Sequence, residues 1–552
     1  MKQYTVGIDF GTLSGRAVLM DVHTGEIVAS SVCEYPHAVI DEQLNGKALP
    51  INTALQNPED YLLVLQTAIR SALQKANASP DEVIGLGYDF TSCTILPVDE
   101  NAVPLCFWEK YQNEPNAYVK LWKHHAAQKE ADECTRVAAE RNEPWLDIYG
   151  GRISSEFMIP KILQILRESP EVYRDTARFL EAADWLTWIL TGKEVHSIPF
   201  AGYKTFWNEE NGYPSQEYFA ALDPEMENII GTKISENLIG LDQIAGTLTQ
   251  KGSEMTGLNV GTPISVPLLD AHASMPALGL DEEGTLMLIL GTSGVQMLHS
   301  KNKIAVHGAS GYVLGGIIPE LYSYEAGSAC CGDHFDWFVK NSVPAAYEAE
   351  AKEKGIGLHG LLTEKASKLS VGESGLLALD WFNGNRCLLS DSDLKGMILG
   401  MTLRTRPEEI YRALIEATAY GMRVIVDNFV KHGISVDRIV ASGGIAEKNE
   451  MLVQIYADVL GRPITVSDAT MSAARGSAMY AAFAGGAYTD IHEAVKALAV
   501  TTGKTYEPIE ENVKRYHILY AEYQRLHDYF GRGENDVMHK LSALAMDVSQ
   551  GN

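Results

Sequence analysis

Two short turns carry the residue types that can hold a chain of phosphates. GIDFGTLSG, residues 7–15, sets Gly11 and Gly15 around the hydroxyls of Thr12 and Ser14, with Asp9 closing the preceding apolar run. Glycine lets backbone N–H groups approach an anion, and a carboxylate at a strand end is a hard oxygen ligand for a cation. LGTSG, residues 290–294, repeats the pattern with Gly291, Thr292, Ser293 and Gly294. One such turn is an ordinary hairpin connection, but two facing copies can grip a polyphosphate between them. A P-loop is not the route, because GKT at 503–505 has Leu498 where that motif needs a glycine.

A second kind of chemistry sits in VPLLDAHASMPALGL, residues 266–280, where Asp270 and His272 interrupt an otherwise nearly uncharged apolar run. A carboxylate that loses its water costs several kcal/mol unless something compensates it, so Asp270 either faces solvent at a loop or is held in a site. If the segment is extended, His272 points to the same side and is a rival base, although a lone His in an apolar run is more often a hydrogen-bonded core residue. ASGGIAEKN, residues 441–449, ends an apolar strand on Gly443 and Gly444 and opens a helix at about Glu447. A flat ligand can lie against paired glycines, and a helix N-terminus favours an anion, at the strand end where open α/β sheets place ligands.

The elements that must position these residues follow from local patterning. YTVGIDF, RAVLMD and IVASSVCEY, separated by Gly/Thr turns, read as three antiparallel strands. A helix starts at Pro58 behind Asn57 as N-cap, with Leu62, Leu65, Ile69 and Leu73 as its apolar stripe. VIGLGYDF, residues 83–90, suits a buried strand of a partly parallel sheet. The order then recurs: TLMLILGTSGVQML at 285–298, a long helix from about Pro407 with Thr405 and Glu408 at capping-box spacing, and RIVASGGIA at 438–446. This repetition predicts a duplicated α/β domain with its boundary near 271–284, in blocks 1–271, 272–490 and a helical extension 491–552. Insertions around 200–215 and 343–375 distinguish the copies, and Tyr516, Tyr520 and Tyr523 form one face of the extension.

Composition narrows the partners. A chain of 552 residues exceeds what one core usually serves, and 72 acidic against 45 basic side chains give a net charge of −27, which repels nucleic acid and anionic lipid. Seven cysteines without CxxC spacing read as reduced thiols. No signal-peptide pattern and no apolar run of membrane-spanning length is present, so the expectation is a cytoplasmic protein with small-molecule ligands.

Together these residues resemble the FGGY family of carbohydrate kinases, within the actin-like (ribonuclease H-like) ATPase fold. EFMIPKILQILRE at 156–168 and KGMILGMTLRTRPEEIYRALIEATAYG at 395–421 are similar to that family's signatures. The Trp-x-Asp-x-Arg pattern of many members is absent, and LWKHHAA at 121–127 stands in its place. LWKHH, GYDFTSCT at 87–94, AGYKTFWN at 201–208 and LLDAHA at 268–273 look like the sugar-binding segments of the branch that acts on L-ribulose.

The resemblance implies two actin-like domains with a cleft between them, sugar contacts from Thr91, Trp122, Lys204, Asp270 and Glu325, and ATP and Mg²⁺ as its requirements. An aromatic face packs the C–H face of a sugar while Lys and carboxylates bond its hydroxyls. The plainer alternatives are a core Trp122 in a helical stripe and a surface Lys204 that snorkels. For the nucleotide it implies Gly11, Thr12, Ser14, Arg16, Gly291, Thr292, Gly332, Asp336, Gly443 and Gly444, with Asn449 taken over the adjacent Lys448. Asp270 is the implied proton acceptor and Asp9 an outer-shell partner of Mg²⁺. The implied reaction is phosphorylation of the terminal hydroxyl of L-ribulose. D-ribulose, xylulose or ribitol stand as alternatives, as does a nucleotide-driven conformational ATPase without a sugar substrate, and association of identical copies is left open.

Overall fold

The computed structural model describes residues 2–550. Its contacts divide the chain into two compact units, one of Met1–Asp281, Gly311–Ser323 and Ala469–Thr501, the other of Glu282–Ser310, Tyr324–Asp468 and Thr502–Asn552.

In the first unit, β1 (Tyr4–Phe10), β2 (Ser14–Asp21) and β3 (Ile27–Glu34) form the expected antiparallel meander. Asn57 caps α1 (Pro58–Ala76), its side chain accepting from the Glu59 N–H at 3.0 Å. β4 (Val83–Phe90) then pairs with β1 in parallel. After α2 (Met158–Glu168) and α3 (Ile198–Lys204) come β5 (Ile244–Thr247), β6 (Pro263–Ser265), β7 (Leu268–Leu269) and α4 (Asp270–Ala277). The sheet runs β5-β6-β4-β1-β2-β3, with β7 also paired to β4. Its core is aromatic: Phe10 stacks on Phe90 with centroids 4.4 Å apart, and Tyr61 meets both rings edge-on.

The second unit repeats the plan. Five of its strands, β8 (Gly284–Leu290), β9 (Gly294–Ser300), β10 (Val436–Ser442), β11 (Ile464–Ser467) and β12 (Gly503–Tyr506), run in the order β9-β8-β10-β11-β12. Along β2-β1-β4-β6-β5 and along this row the pairings are alike: antiparallel, parallel, parallel, antiparallel. The duplication read from the sequence is thus a duplication of sheet topology. Its helices include α5 (Gly332–Ser342), α6 (Pro407–Lys431), α7 (Gly444–Lys448) and α8 (Glu450–Leu460). The cap of α6 falls one residue later than expected. Glu409 accepts from the Arg406 N–H at 2.6 Å, while Thr405 turns back to accept from the Thr402 N–H at 2.8 Å.

The chain then returns to the first unit with α9 (Ser472–Ala484), which lies directly on β1 and β4. A Cβ on Gly7, Gly85 or Gly87 would come within 2.0 Å of the Ala474 carbonyl, 2.2 Å of the Ala481 carbonyl and 2.2 Å of the Ser477 carbonyl, respectively. Only glycine admits a helix backbone this close to a sheet. Because α9 belongs to the first sheet, the units are interleaved along the chain and differ from the contiguous blocks 1–271, 272–490 and 491–552.

Helix α10 (Glu510–Gly531) packs on the second unit through the tyrosine face read from the sequence. Tyr516, Tyr520 and Tyr523 donate to Glu416, Asp427 and Asp380 at 2.9, 2.9 and 2.6 Å. Burial pushes the Asp380 carboxyl from 3.8 up to about 6, against the Tyr523 hydrogen bond, which lowers it. The folded state therefore holds this proton more tightly than the unfolded chain, so stability from this group falls as pH rises from 3.8 to about 6. The resulting penalty above that window is roughly 3 kcal/mol. Asp380→Asn keeps the acceptor for Tyr523 and is expected to raise the melting temperature at neutral pH while flattening its fall across that window. A variant less stable than the parent at neutral pH would overturn this account.

Among the described residues, no helix is long and apolar enough to cross a membrane.

Candidate active site

Three neighbouring parallel strands of the first unit end in register. Phe10 of β1 pairs with Phe90 of β4, and Phe90 with Leu269 of β7. The residues that follow, Gly11, Thr91 and Asp270, therefore form one row at the carboxyl ends of the strands. One position back, Asp9 pairs with Asp89. Asp270 opens α4, and its Oδ1 accepts from the Ala271 N–H at 2.7 Å, a placement that the helix dipole favours for an anion.

Asp89 is a candidate site residue that sequence reasoning missed. It is fully buried, and its Oδ2 accepts from the Ser477 hydroxyl of α9 at 2.6 Å. Burial pushes its carboxyl well above the usual range, and Asp9 and Asp270 push the same way. Burial also raises Asp9, opposed by the Arg16 guanidinium across the hairpin and by a hydrogen bond with Asp89. Inside the run GYDF, Asp89 reads as one polar residue in a buried strand. The usable signal was positional, since Asp9 and Asp89 each stand one residue before the end of an apolar strand.

The first hairpin turn is closed by a Gly11 N–H to Ser14 carbonyl bond of 3.0 Å. Its Thr12 hydroxyl accepts from the Trp122 indole N–H at 3.2 Å, and its carbonyl from the Gln56 amide at 2.7 Å. Trp122 is accordingly a half-buried residue of a turn, not the core residue of a helical stripe. Thr91 is buried, its N–H donating to the Phe10 carbonyl at 3.2 Å and its hydroxyl paired with that of Thr94 at 2.7 Å. Lys204, at the end of α3, is 4% exposed with its ammonium 5.4 Å from the centroid of Phe157, so it does not snorkel to the surface. His272 is buried with its ring edge-on to Tyr203, centroids 4.5 Å apart. Helical geometry starts at Asp270, so residues two apart no longer share a side, and the argument for His272 as a rival base lapses.

In the second unit, the Gly291 N–H donates to the Ser293 carbonyl at 3.0 Å, and the Gly332 N–H to the Gly291 carbonyl at 2.9 Å. The Thr292 carbonyl accepts from the Cys331 N–H at 2.9 Å. Gly443 adopts φ +98°, and a Cβ there would lie 2.7 Å from the Leu290 carbonyl. Gly291, Thr292, Gly332, Gly443 and Gly444 are thus gathered at the paired ends of β8 and β10. The helix after them starts at Gly444, earlier than the expected Glu447. Asn449 caps α8, accepting from the Leu452 N–H at 3.1 Å while its amide reaches the Thr363 hydroxyl at 3.5 Å. Asp336 lies one turn into α5, paired with Lys340 at 2.6 Å. Glu325 lies on the strand Tyr322–Ser328 and belongs to the second unit, whereas Thr91, Trp122, Lys204 and Asp270 belong to the first.

Chemically, the first unit offers hard carboxylate oxygens beside a turn rich in N–H and hydroxyl groups. No group of three or more His, Cys, Asp or Glu able to hold a metal occurs among the described residues. Such a donor set fits Mg²⁺ that keeps several waters and takes its remaining oxygens from substrate phosphates, rather than a metal caged by protein alone.

Profiles of the FGGY family of carbohydrate kinases match this chain twice, the N-terminal domain over residues 4–277 and the C-terminal domain over residues 286–485. The chain belongs to that family and is a carbohydrate kinase. Among its relatives, the ribulokinase of Bacillus licheniformis is 49% identical over 538 residues, 96% of this chain and 97% of that protein. The ribulokinase of Mycolicibacterium smegmatis is 43% identical over 551 residues, 99% of this chain and 97% of that protein. The fold is shared with xylulose kinase from Rhodospirillum rubrum (TM-score 0.78, 21% identity, 95% of this chain and 98% of that one). It is also shared with Plasmodium falciparum glycerol kinase, solved with ADP (TM-score 0.74, 17% identity, 95% and 98% covered).

Proposed function

We propose that the protein transfers the γ-phosphoryl group of ATP to the terminal hydroxyl of L-ribulose in the cytoplasm, giving L-ribulose 5-phosphate and ADP. The observation that carries this reading is the single row of Gly11, Thr91 and Asp270, backed by Asp9 and Asp89, at the ends of three parallel strands. On this reading the turn at Gly11 binds an anion, the Thr91 hydroxyl meets the sugar and Asp270 is the base, each on an adjacent strand end. Nearly full-length similarity to ribulokinases supports the choice of sugar.

In this reading, Asp270 accepts the proton of the 5-hydroxyl as that oxygen bonds to the γ-phosphorus. The bond from the γ-phosphorus to the β,γ-bridging oxygen breaks, and ADP leaves with the electron pair. Most of the barrier reduction in such a transfer comes from alignment and charge neutralisation. Trp122 and Lys204 orient the sugar, Gly11 closes the turn and lets it approach the phosphates, and the N–H and hydroxyl groups of Thr12 and Ser14 receive phosphate oxygens. Mg²⁺ supplies charge neutralisation on the phosphates, and Asp9 with Asp89 would hold it through its waters. On the nucleotide, Gly332 and Asp336 serve the ribose and Gly443, Gly444 and Asn449 the adenine.

A coupled ATP-consumption assay over L-ribulose, D-ribulose, L-xylulose, D-xylulose and ribitol tests the assignment. L-ribulose is expected to give the highest kcat/KM. Turnover of glycerol or a hexose with none of the five-carbon substrates would overturn it.

A further inference from the structure

The signature EFMIPKILQILRE contains more buried polarity than a packing helix needs. In α2, Lys161 is 0% and Gln164 3% exposed. A buried ammonium costs several kcal/mol unless bonded, so its presence calls for a task.

Both side chains are spent on two loops. The Lys161 ammonium donates to the carbonyls of Cys93 at 2.6 Å, Leu121 at 2.9 Å and Lys120 at 3.5 Å. Cys93 is held at φ +56°, a left-handed conformation uncommon for a non-glycine residue, two positions after Thr91. Leu121 directly precedes Trp122, and its carbonyl also closes a turn by accepting from the His124 N–H at 2.9 Å. Three residues along α2, on the same face, the Gln164 carbonyl oxygen meets His124 Nε2 at 2.9 Å. The other ring nitrogen accepts from the Ala54 N–H at 3.2 Å, which leaves the proton on Nε2 for Gln164. One helix face therefore grips the loop of GYDFTSCT and the LWKHH segment together.

We propose that Lys161 and Gln164 are positioning residues of the sugar subsite, fixing the backbone that presents Thr91 and Trp122. This rests on the reading of those two residues as sugar contacts. The LWKHH loop has no regular secondary structure of its own, and its shape is copied from a rigid helix beneath it. Displacement of about 1 Å at a substrate contact can cost on the order of 10²-fold.

The test compares Lys161→Met, Lys161→Arg and Gln164→Leu in steady-state kinetics and hydrogen exchange. Lys161→Met is expected to raise the KM for L-ribulose about tenfold or more while leaving the KM for ATP within about twofold. Lys161→Arg, which keeps charged N–H donors, recovers part of that loss, and Gln164→Leu shows a smaller effect of the same kind. Exchange should accelerate at residues 91–94 and 120–125 but not in β1. A folded Lys161→Met variant in which both KM values move alike, or neither moves, overturns the proposal. So does an arginine variant that folds no less well yet binds sugar as poorly. Should Lys161→Met not fold, Gln164→Leu decides by the same two readouts. The exchange readout needs no sugar, so parent protein inactive on every pentulose would sink the substrate assignment and leave the loop-positioning claim separately testable.

Discussion

Asp270→Asn is expected to lower sugar-dependent turnover by about 10²–10⁴-fold while ATP binding persists, the usual contribution of a general base. The substitution is nearly isosteric, and the amide oxygen can still accept from the Ala271 N–H that Asp270 bonds at 2.7 Å. The start of α4 should therefore survive, and the melting temperature should change little. Loss of kcat at unchanged stability is what separates a base from a residue that only steadies the start of α4. Asn cannot take the sugar proton at neutral pH, so residual turnover reflects alignment and phosphate neutralisation alone. Measurement of kcat with L-ribulose, together with an ATP titration, checks the result, and near-normal turnover would reduce Asp270 to a first-turn anion at the start of α4.

The other large effect is expected far away in sequence, at Gly476→Ala. A Cβ on Gly476 would lie 1.7 Å from the Ala273 carbonyl, so α9 and α4 touch backbone to backbone three residues after Asp270. No rotamer relieves a clash between a Cβ and a carbonyl, and one of the helices must move. Overpacking costs about 1–3 kcal/mol in ordinary cases, and this contact belongs at or beyond the upper end. The expected outcome is a clear fall in melting temperature and, in whatever folds, a lower kcat as Asp270 shifts with α4. Gly360→Ala is the control: it lies in the helix Leu358–Ala366, with only Ile356 nearby at 3.8 Å, so it should be neutral or slightly stabilising. Equal melting temperatures for the two variants would refute the account of the α9–α4 contact.

The sequence disclosed what depends on neighbours along the chain. Asn57 before Pro58 marked the start of α1, alternating β-branched runs marked the meander, and repetition of hairpin, helix and strand marked the second unit, because each is a local pattern with a local cause. Three features escaped for one reason, that their partners lie far outside any local window, from 40 to nearly 400 residues away. Gly85 and Gly87 in VIGLGYDF take their meaning only from α9, whose carbonyls at Ala481 and Ser477 lie against them. Asp89 looked like a stray polar residue until its alignment with Asp9 and its bond from Ser477 appeared. Lys161 was part of a recognisable signature, yet the carbonyls it holds are 40 and 68 residues away. For His272 the role of rival base depended on an extended segment, and the chain turns helical at Asp270, where a two-residue spacing no longer means a shared side, which leaves the buried core reading.

The glycine seat for α9 also bears on how the protein is made. Residues Ala469–Thr501 complete the first unit, so its first 281 residues leave the ribosome without the helix that covers Gly7, Gly85 and Gly87 and donates to Asp89. The intervening stretch must be synthesised before that face is closed. Nascent chains stalled before residue 469 should therefore present an uncovered apolar sheet to chaperones, and the strand ends that carry Asp9 and Asp270 gain their final setting only late in translation.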